Sequence, residues 1–415
     1  MNVRGMMAAL ALLAGFATAS WAATVPKEIR VGTLYASTGP FAAISMPAYD
    51  GLRLWARQVN AAGGLYVKPY GRKIPVRLIA YDDQSNTATA ATLYNELISR
   101  DHVNILISDS GSVLTSVAVP IAREHKMFLF DISGTGKPFF TRDNPYIALM
   151  SLPISTLWPS VQADFLDSVG LRAGIRRVAI LYATNDFSGT HADALAGYLR
   201  KAGKLRIVYD QGVPTNTSNY TVLINTIAAT KPDAVIELGF PGNDIGFLRA
   251  LHESGEHFRY VFTLFGGFEM HALLGGAGAA AMDGTFTYVP AALYPYKVND
   301  GPTLAAFHAA WDKAYPKGSG VPWGADGLMG YMTGLVVQKA LATTTGMGQL
   351  DLRRAVFAQS GKLRTLAGTF RLNSEGGQIG EMTPVGQLHA DGHGGLRLVA
   401  VYPPAIAQGK PVFGK

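Results

Sequence analysis

The sequence predicts an α/β protein built as two successive Rossmann-like lobes, each around a parallel sheet. Three observations carry that prediction. Short apolar runs alternate with segments of helical period along most of the chain, the rhythm of parallel strands covered on both faces. The rhythm pauses near residue 150 and begins again near 177, so it is written twice. Finally, the runs are followed by loops rich in Ser, Gly, Asn and Asp, and open α/β sheets bind ligands at the carboxyl ends of their strands. A chain of 415 residues is also too long for one small core and suits two.

In chain order, the first 22 residues carry a single charge, Arg4, an apolar run over 6–16 and the small-x-small triplet Ser20-Trp21-Ala22. This reads as a secretory signal peptide, residues 1–22, with an apolar run too short for a membrane span. Residues 28–34 are an opening strand, and 35–40 (YASTGP) are a polar turn at its end. A helix is expected over 48–60 from the spacing of Leu52, Leu54, Trp55 and Val59, stopping at Gly63-Gly64. A strand over 76–81 ends in Asp82-Asp83-Gln84, and a helix over 87–99 follows. The Asp pair is read as capping that helix, since polar residues after a strand usually do so.

The stretch 104–138 is the most informative. Its apolar runs 105–107 and 127–130 are each followed by a polar loop, with Val113, Val117, Val119, Ile121 and Ala122 at helical spacing between them. This βαβ unit sends two loops to one side, one with Ser110, Gly111 and Ser112, the other with Ser133, Gly134, Thr135 and Gly136. Helix-start N–H groups and small hydroxyls together hold a carboxylate-like anion. The same residue types also serve merely to cap helices and turn the chain.

In the second half, strands are expected at 177–182, 205–210, 234–238 and 260–264, with loops at 185–189 (NDFSG), 240–244 (FPGND) and 265–269 (FGGFE). Helices are expected over 192–202, 220–229, 247–254, 303–315 and 325–343, with short strands and turns from 363 onward.

Composition excludes several classes. There is no cysteine, hence no disulfide, thiolate chemistry or lipid-bearing N-terminal Cys. Charged residues are only 16%, and the net charge of +7 is scattered rather than clustered beside aromatics, so no nucleic-acid partner is expected. Gly134-Thr135-Gly136-Lys137 fails as a phosphate loop, because Asp131 stands where the first Gly belongs and Pro138 where Ser or Thr would bind a metal. His252 and His257 are five apart, which a helix does not place on one face, and no G-x-S-x-G elbow occurs. No metal site, cofactor or enzyme activity is expected.

Several strings, in this order, resemble those of the bacterial periplasmic substrate-binding proteins of ABC transporters, in the branched-chain amino acid (leucine/isoleucine/valine-binding) receptor group. They are IRVGTLYASTGPFA (29–42), VNAAGGL (59–65), YDDQSN (81–86), the 104–138 stretch, KPDAVIELGF (231–240) and FRLNSEGGQIG (370–380). The resemblance implies the type I periplasmic binding protein fold, two Rossmann-like lobes joined by a multi-strand hinge. It divides the chain into a signal peptide (1–22), lobe 1 (23–150 plus 291–372), lobe 2 (151–290 plus 373–402) and a tail (403–415). It implies a monomeric periplasmic receptor that encloses a small molecule between its lobes and docks on an inner-membrane permease, or a sensor of the same fold that signals to a partner. It also implies that Ser112 gives a hydroxyl and N–H to the ligand carboxylate, that Ser133, Gly134 and Thr135 contribute carbonyls and a hydroxyl to its ammonium and carboxylate, and that Phe187 and Phe240 close over it. The acid that neutralises an ammonium in such receptors falls at Gly266 here, with Glu269 three residues later. That departure, and Phe where the family carries tyrosine, suits an aromatic or hydrophobic carboxylate as well as an amino acid. Phe265 and Phe268 are further wall candidates, and Tyr35 and Trp323 weaker ones.

Overall fold

The computed structural model of the chain describes residues 25–293, 297–316, 324–380 and 382–414; the expected signal peptide and Trp323 lie outside them. The first sheet is wholly parallel, in the order Val76–Asp82, Ile29–Tyr35, Ile105–Ile107, Leu129–Asp131, Ile147–Leu149. The chain starts in the middle, builds one neighbour and then builds outward on the other side. The strand order therefore reverses between Ile29–Tyr35 and Ile105–Ile107, and a crevice opens outside their carboxyl ends.

The second sheet repeats the plan. Arg206–Val213, Arg177–Ala183, Ala234–Leu238, Tyr260–Thr263 and Phe286–Tyr288 run parallel, and the antiparallel strands Val385–Ala390 and Leu396–Tyr402 extend the last edge. Its switch point lies between Arg177–Ala183 and Ala234–Leu238. Segments 150–158, 289–293, 373–380 and 382–384 lie on the passages between the sheets and are tied to one another. Ile154 N–H donates to Gln378 O (3.0 Å), Val289 N–H to Pro384 O (2.9 Å) and Thr383 Oγ1 to Trp158 O (2.7 Å). Val412 and Phe413 are anchored on the second sheet. Phe413 packs on Phe165 and Phe286, and Gln387 exchanges two hydrogen bonds with the backbone of Val412.

One helix pair sets the geometry of the first lobe. Helix Ala42–Ala61 lies against helix Ala325–Thr343 at backbone contact, because glycines line the crossing. A Cβ on Gly51 would sit 1.8 Å from Gly327 O, one on Gly330 1.8 Å from Ala48 O, and one on Gly334 2.3 Å from the Trp55 ring. This approach brings the start of the second helix, with Asp326 and Met329, to the crevice.

Several elements differ from expectation. Helix Ala42–Ala61 begins six residues early and runs through Pro47, since Ile44, Ser45 and Ala48 are buried and packing outweighs the lost hydrogen bond. Asp82 and Asp83 do not cap the next helix. Asn86 does, accepting from Thr89 N–H (2.9 Å), while Asp82 accepts from Ser37 and Gln84 N–H in the turn. The stretches at 185–189 and 240–244 are not loops but helix starts. Asn185 Oδ1 accepts from Phe187 and Ser188 N–H, and Asn243 Oδ1 from Phe240 N–H (3.0 Å). Their local capping chemistry thus aims both phenylalanines from rigid first turns.

Candidate ligand-binding cleft

The polar side of the cleft is a cross-linked pair of loops. Asp131, at the end of its strand, accepts from Ser108 Oγ (2.9 Å), Gly134 N–H (2.8 Å) and Thr115 Oγ1 (3.3 Å), fastening both loops to the helix Ser112–Glu124. Burial pushes its carboxyl up to about 7. Ser133 Oγ meets Ser110 Oγ (2.7 Å) and accepts from Gly111 N–H (3.1 Å), and Ser112 Oγ accepts from Gly136 N–H (3.1 Å). Gly111 has φ +87°, and a Cβ there would meet Ile44 at 2.8 Å, so the turn into this helix needs glycine twice over. Thr135 is 1% exposed and lines the cavity, yet its hydroxyl finds no hydrogen-bond partner among the described residues. A buried hydroxyl of this kind costs about 1–3 kcal/mol unless something else satisfies it.

The opposite side is aromatic. Phe240 stacks on Phe265 (5.8 Å between centroids) and meets Phe187 (5.7 Å), while Trp158, in the crossover, meets Phe187 and Phe268 at 5.4 and 5.5 Å. Phe240 also reaches the other lobe, edge-on to Phe41 at 5.2 Å. Behind this wall His191 Nε2 bonds Tyr288 Oη (2.8 Å), which donates to Gln162 Oε1 (2.9 Å); burial alone holds His191 neutral, its pKa lowered to about 3. As the lobes stand, the enclosed space is about 20 Å³, little more than a water molecule needs. A ligand of any size is therefore admitted by the lobes parting.

The cleft also holds two acids. Asp326 lines the cavity with its Oδ1 3.4 Å from Ser110 Oγ, and Glu269 approaches it from the second lobe so that the carboxyls meet. Burial and mutual repulsion push Glu269 well above the usual carboxylate range, and burial pushes Asp326 up to about 6.

Of the expected site residues, Ser112, Ser133, Thr135, Phe187 and Phe240 line one cavity, joined by Phe265 and Phe268. Gly134 is outside the lining, where a Cβ would meet Thr115 at 2.5 Å; Gly266 is outside it too, where a Cβ would face Thr263, Thr287 and Leu388. Glu269 lies at an adjoining opening beside Phe268. Tyr35 is not a wall: its ring is taken up by a stack on Tyr49 (4.4 Å, 4° between planes) outside the cavity lining. Gly111 lines the cavity too, and Ile44, Leu152, Trp158, Asp326 and Met329, which were not foreseen, complete the lining. No local pattern marks them; each arrives from a crossover or a packed helix.

Two α/β lobes with their switch points facing across a hinged cleft define a receptor that encloses a small solute. The chain belongs to the periplasmic binding protein family, whose model matches residues 28–393. It is 24% identical to the Leu/Ile/Val-binding protein homolog 7 of Brucella melitensis over 412 residues, which cover 96% of this chain and 95% of that one. Among solved structures it resembles the branched-chain amino acid transporter substrate binding protein of Streptococcus pneumoniae, in complex with isoleucine (TM-score 0.73, 16% identity, 91% of this chain and 100% of that one). It equally resembles an ABC transporter solute binding protein from R. palustris in complex with benzoate (TM-score 0.71, 19% identity, 91% and 99%). The fold is thus that of type I periplasmic binding proteins, and the branched-chain amino acid receptor resemblance holds over nearly the whole chain. No helix among the described residues is long and apolar enough to cross a membrane.

Proposed function

We propose that this protein is a periplasmic receptor that captures a small carboxylate with a hydrophobic body and delivers it to an ABC transporter permease. The observation that carries the reading is Thr135, a buried hydroxyl without a partner among the described residues that lines the cavity beside the first turn of Ser112–Glu124. A carboxylate there takes hydrogen bonds from Thr135 and Ser112 and lies at the positive end of a 13-residue helix. The hydrophobic remainder then meets Phe187, Phe240, Phe265 and Phe268. Exchanging water for aromatic faces from the other lobe supplies the free energy of closure.

The test is a thermal-shift and calorimetric screen of the chain from Ala23, using leucine, isoleucine, phenylalanine, benzoate and the amide of each. A ligand that binds only the folded form raises the melting temperature. The acids are expected to shift it and the amides not. Charge-assisted hydrogen bonds are worth about 1.5 kcal/mol or more each, so Ser112→Ala with Thr135→Val lowers acid affinity about 100-fold. Equal binding of acids and amides, or an unaffected double variant, overturns the carboxylate site.

A further inference from the structure

Closing the cleft brings two acids of opposite lobes together. Asp326 stands in the first turn of the helix Ala325–Thr343 of the first lobe and is 3% exposed; Glu269 follows the strand Tyr260–Thr263 of the second and is 7% exposed, and their carboxyls meet. When the lobes part, each acid returns to water and ionises at about pH 4, as exposed carboxyls do. When they close, two buried carboxylates cannot face each other, and one proton has to come in with them. The start of a 19-residue helix favours the charged form of Asp326, so the proton rests on Glu269, which donates it to Asp326.

No other group takes over the work of that proton. Asp326 is the titratable residue lining the cavity; Glu269 and His271 line the opening beside it, where His271 is exposed, and no Lys or Arg lines either space among the described residues. The groups beneath both walls are acids as well. Asp83, Asp109 and Asp131 lie buried with Tyr94 under the serine loops, and Glu237 and Asp244 with Tyr220 under the phenylalanines. A ligand carboxylate held by Ser112 and Thr135 therefore enters a cleft of acids without a cationic side chain, and its charge adds to the need for a proton. We propose that the protein captures its carboxylate together with a proton, which is taken from solvent and shared by Glu269 and Asp326 as the lobes close. The proposal rests on the carboxylate reading and adds the proton to it. No bond of the ligand changes: it keeps its charge, one proton moves from water to Glu269, and opening returns both. Above about pH 5 the open protein has given up this proton and the closed one holds it, so affinity falls as pH rises, by about 10-fold per pH unit for one proton.

The experiment titrates the chain from Ala23 calorimetrically with benzoate, 3-phenylpropanoate and 4-methylpentanoate, at pH 6, 7 and 8, where all three are anions. At pH 7.5 each titration is repeated in HEPES and in Tris, whose different heats of protonation count the protons exchanged. Wild type is expected to lose about 100-fold in affinity from pH 6 to pH 8 and to take up about one proton per ligand bound. Glu269→Gln supplies a donor that does not titrate, so the uptake disappears and the affinity curve flattens; Asp326→Asn gives Glu269 an amide donor in place of a second charge and reduces both. Equal affinity at pH 6 and pH 8 without proton uptake, or a slope that survives Glu269→Gln, overturns the proposal and leaves the carboxylate reading standing. Binding of leucine, isoleucine or phenylalanine at pH 6 but of none of the three simple acids does the same. If no acid of either set binds at pH 6, both readings fall together.

Discussion

In the first lobe the loops after Ile105–Ile107 and Leu129–Asp131 carry Ser110, Gly111, Ser112, Ser133 and Thr135; at the same places in the strand order of the second lobe, after Ala234–Leu238 and Tyr260–Thr263, stand Phe240, Phe265 and Phe268. The backbone plan is the same on both sides, and the chemistry is opposite. The polar lobe is held by directional bonds, with Asp131 joining two loops and a helix through three hydrogen bonds to one oxygen. The aromatic lobe is held by ring packing onto Trp158 and by helix starts capped through Asn185 and Asn243. Hydrogen-bonded loops keep one geometry and can discriminate a charged group, whereas packed rings adapt and contribute mainly buried area. On the proposed carboxylate reading, orientation of the ligand would fall to the first lobe and closure to the second.

The comparison is broken most completely where the polar lobe loses its frame. Gly330→Val places a side chain where only 1.8 Å separates a Cβ from Ala48 O, so helix Ala325–Thr343 can no longer lie on Ala42–Ala61. Overpacking against backbone costs about 3 kcal/mol or more, and a melting-temperature drop of about 6 °C or more, with loss of binding, is expected. Retention of both would mean that the helix crossing does not set the cleft.

A smaller effect is expected from Phe240→Ala on the aromatic side. It removes the ring that touches Phe187, Phe265 and, across the cleft, Phe41, at about 2–3 kcal/mol of buried area. Ligand affinity falls about 30- to 100-fold while the preference for acid over amide is kept, because that preference resides in the other lobe. A lost preference in a titration of acid against amide would show that the two roles are not separable.

The smallest effect sharpens the polar side. Asp131 has a pKa raised to about 7 by burial, above the value of an unfolded aspartate near 3.9. Between those values the unfolded chain has released the proton and the folded one retains it. Its stabilising contribution is thus full below pH 4 and is lost as pH rises toward 7. Asp131→Asn has no such loss, so its melting temperature relative to wild type should rise by about 2–4 °C between pH 5 and pH 8. A difference that stays constant across that range would place the carboxylate's ionisation outside the stability balance.

Much of this arrangement was legible beforehand because it is local. Ser112 and Thr135 follow short apolar strands directly, and Phe187 and Phe240 follow strands of the second half in the same way; each position comes from a run of apolar residues a few places earlier. Where local patterns competed, packing won: the apolar spacing put the helix start at Ala48, and buried Ile44 and Ser45 carried the helix back through Pro47 to Ala42. Tyr35 also stands at a strand end, but its ring stacks on Tyr49 instead of lining the cavity.

What the sequence determined by itself is therefore the strand order's raw material, the chemistry of each strand-end loop and the family resemblance, since all are written within stretches of a few residues. The tertiary structure alone decided that Asp326 and Glu269 meet. They belong to different lobes, and Asp326 reaches the cleft only because glycines at 51, 327, 330 and 334 let two helices far apart in the chain approach to backbone contact. Periodicity records which face of an element is apolar, not which element it will touch, and a charge pair across two lobes exists only after both have packed.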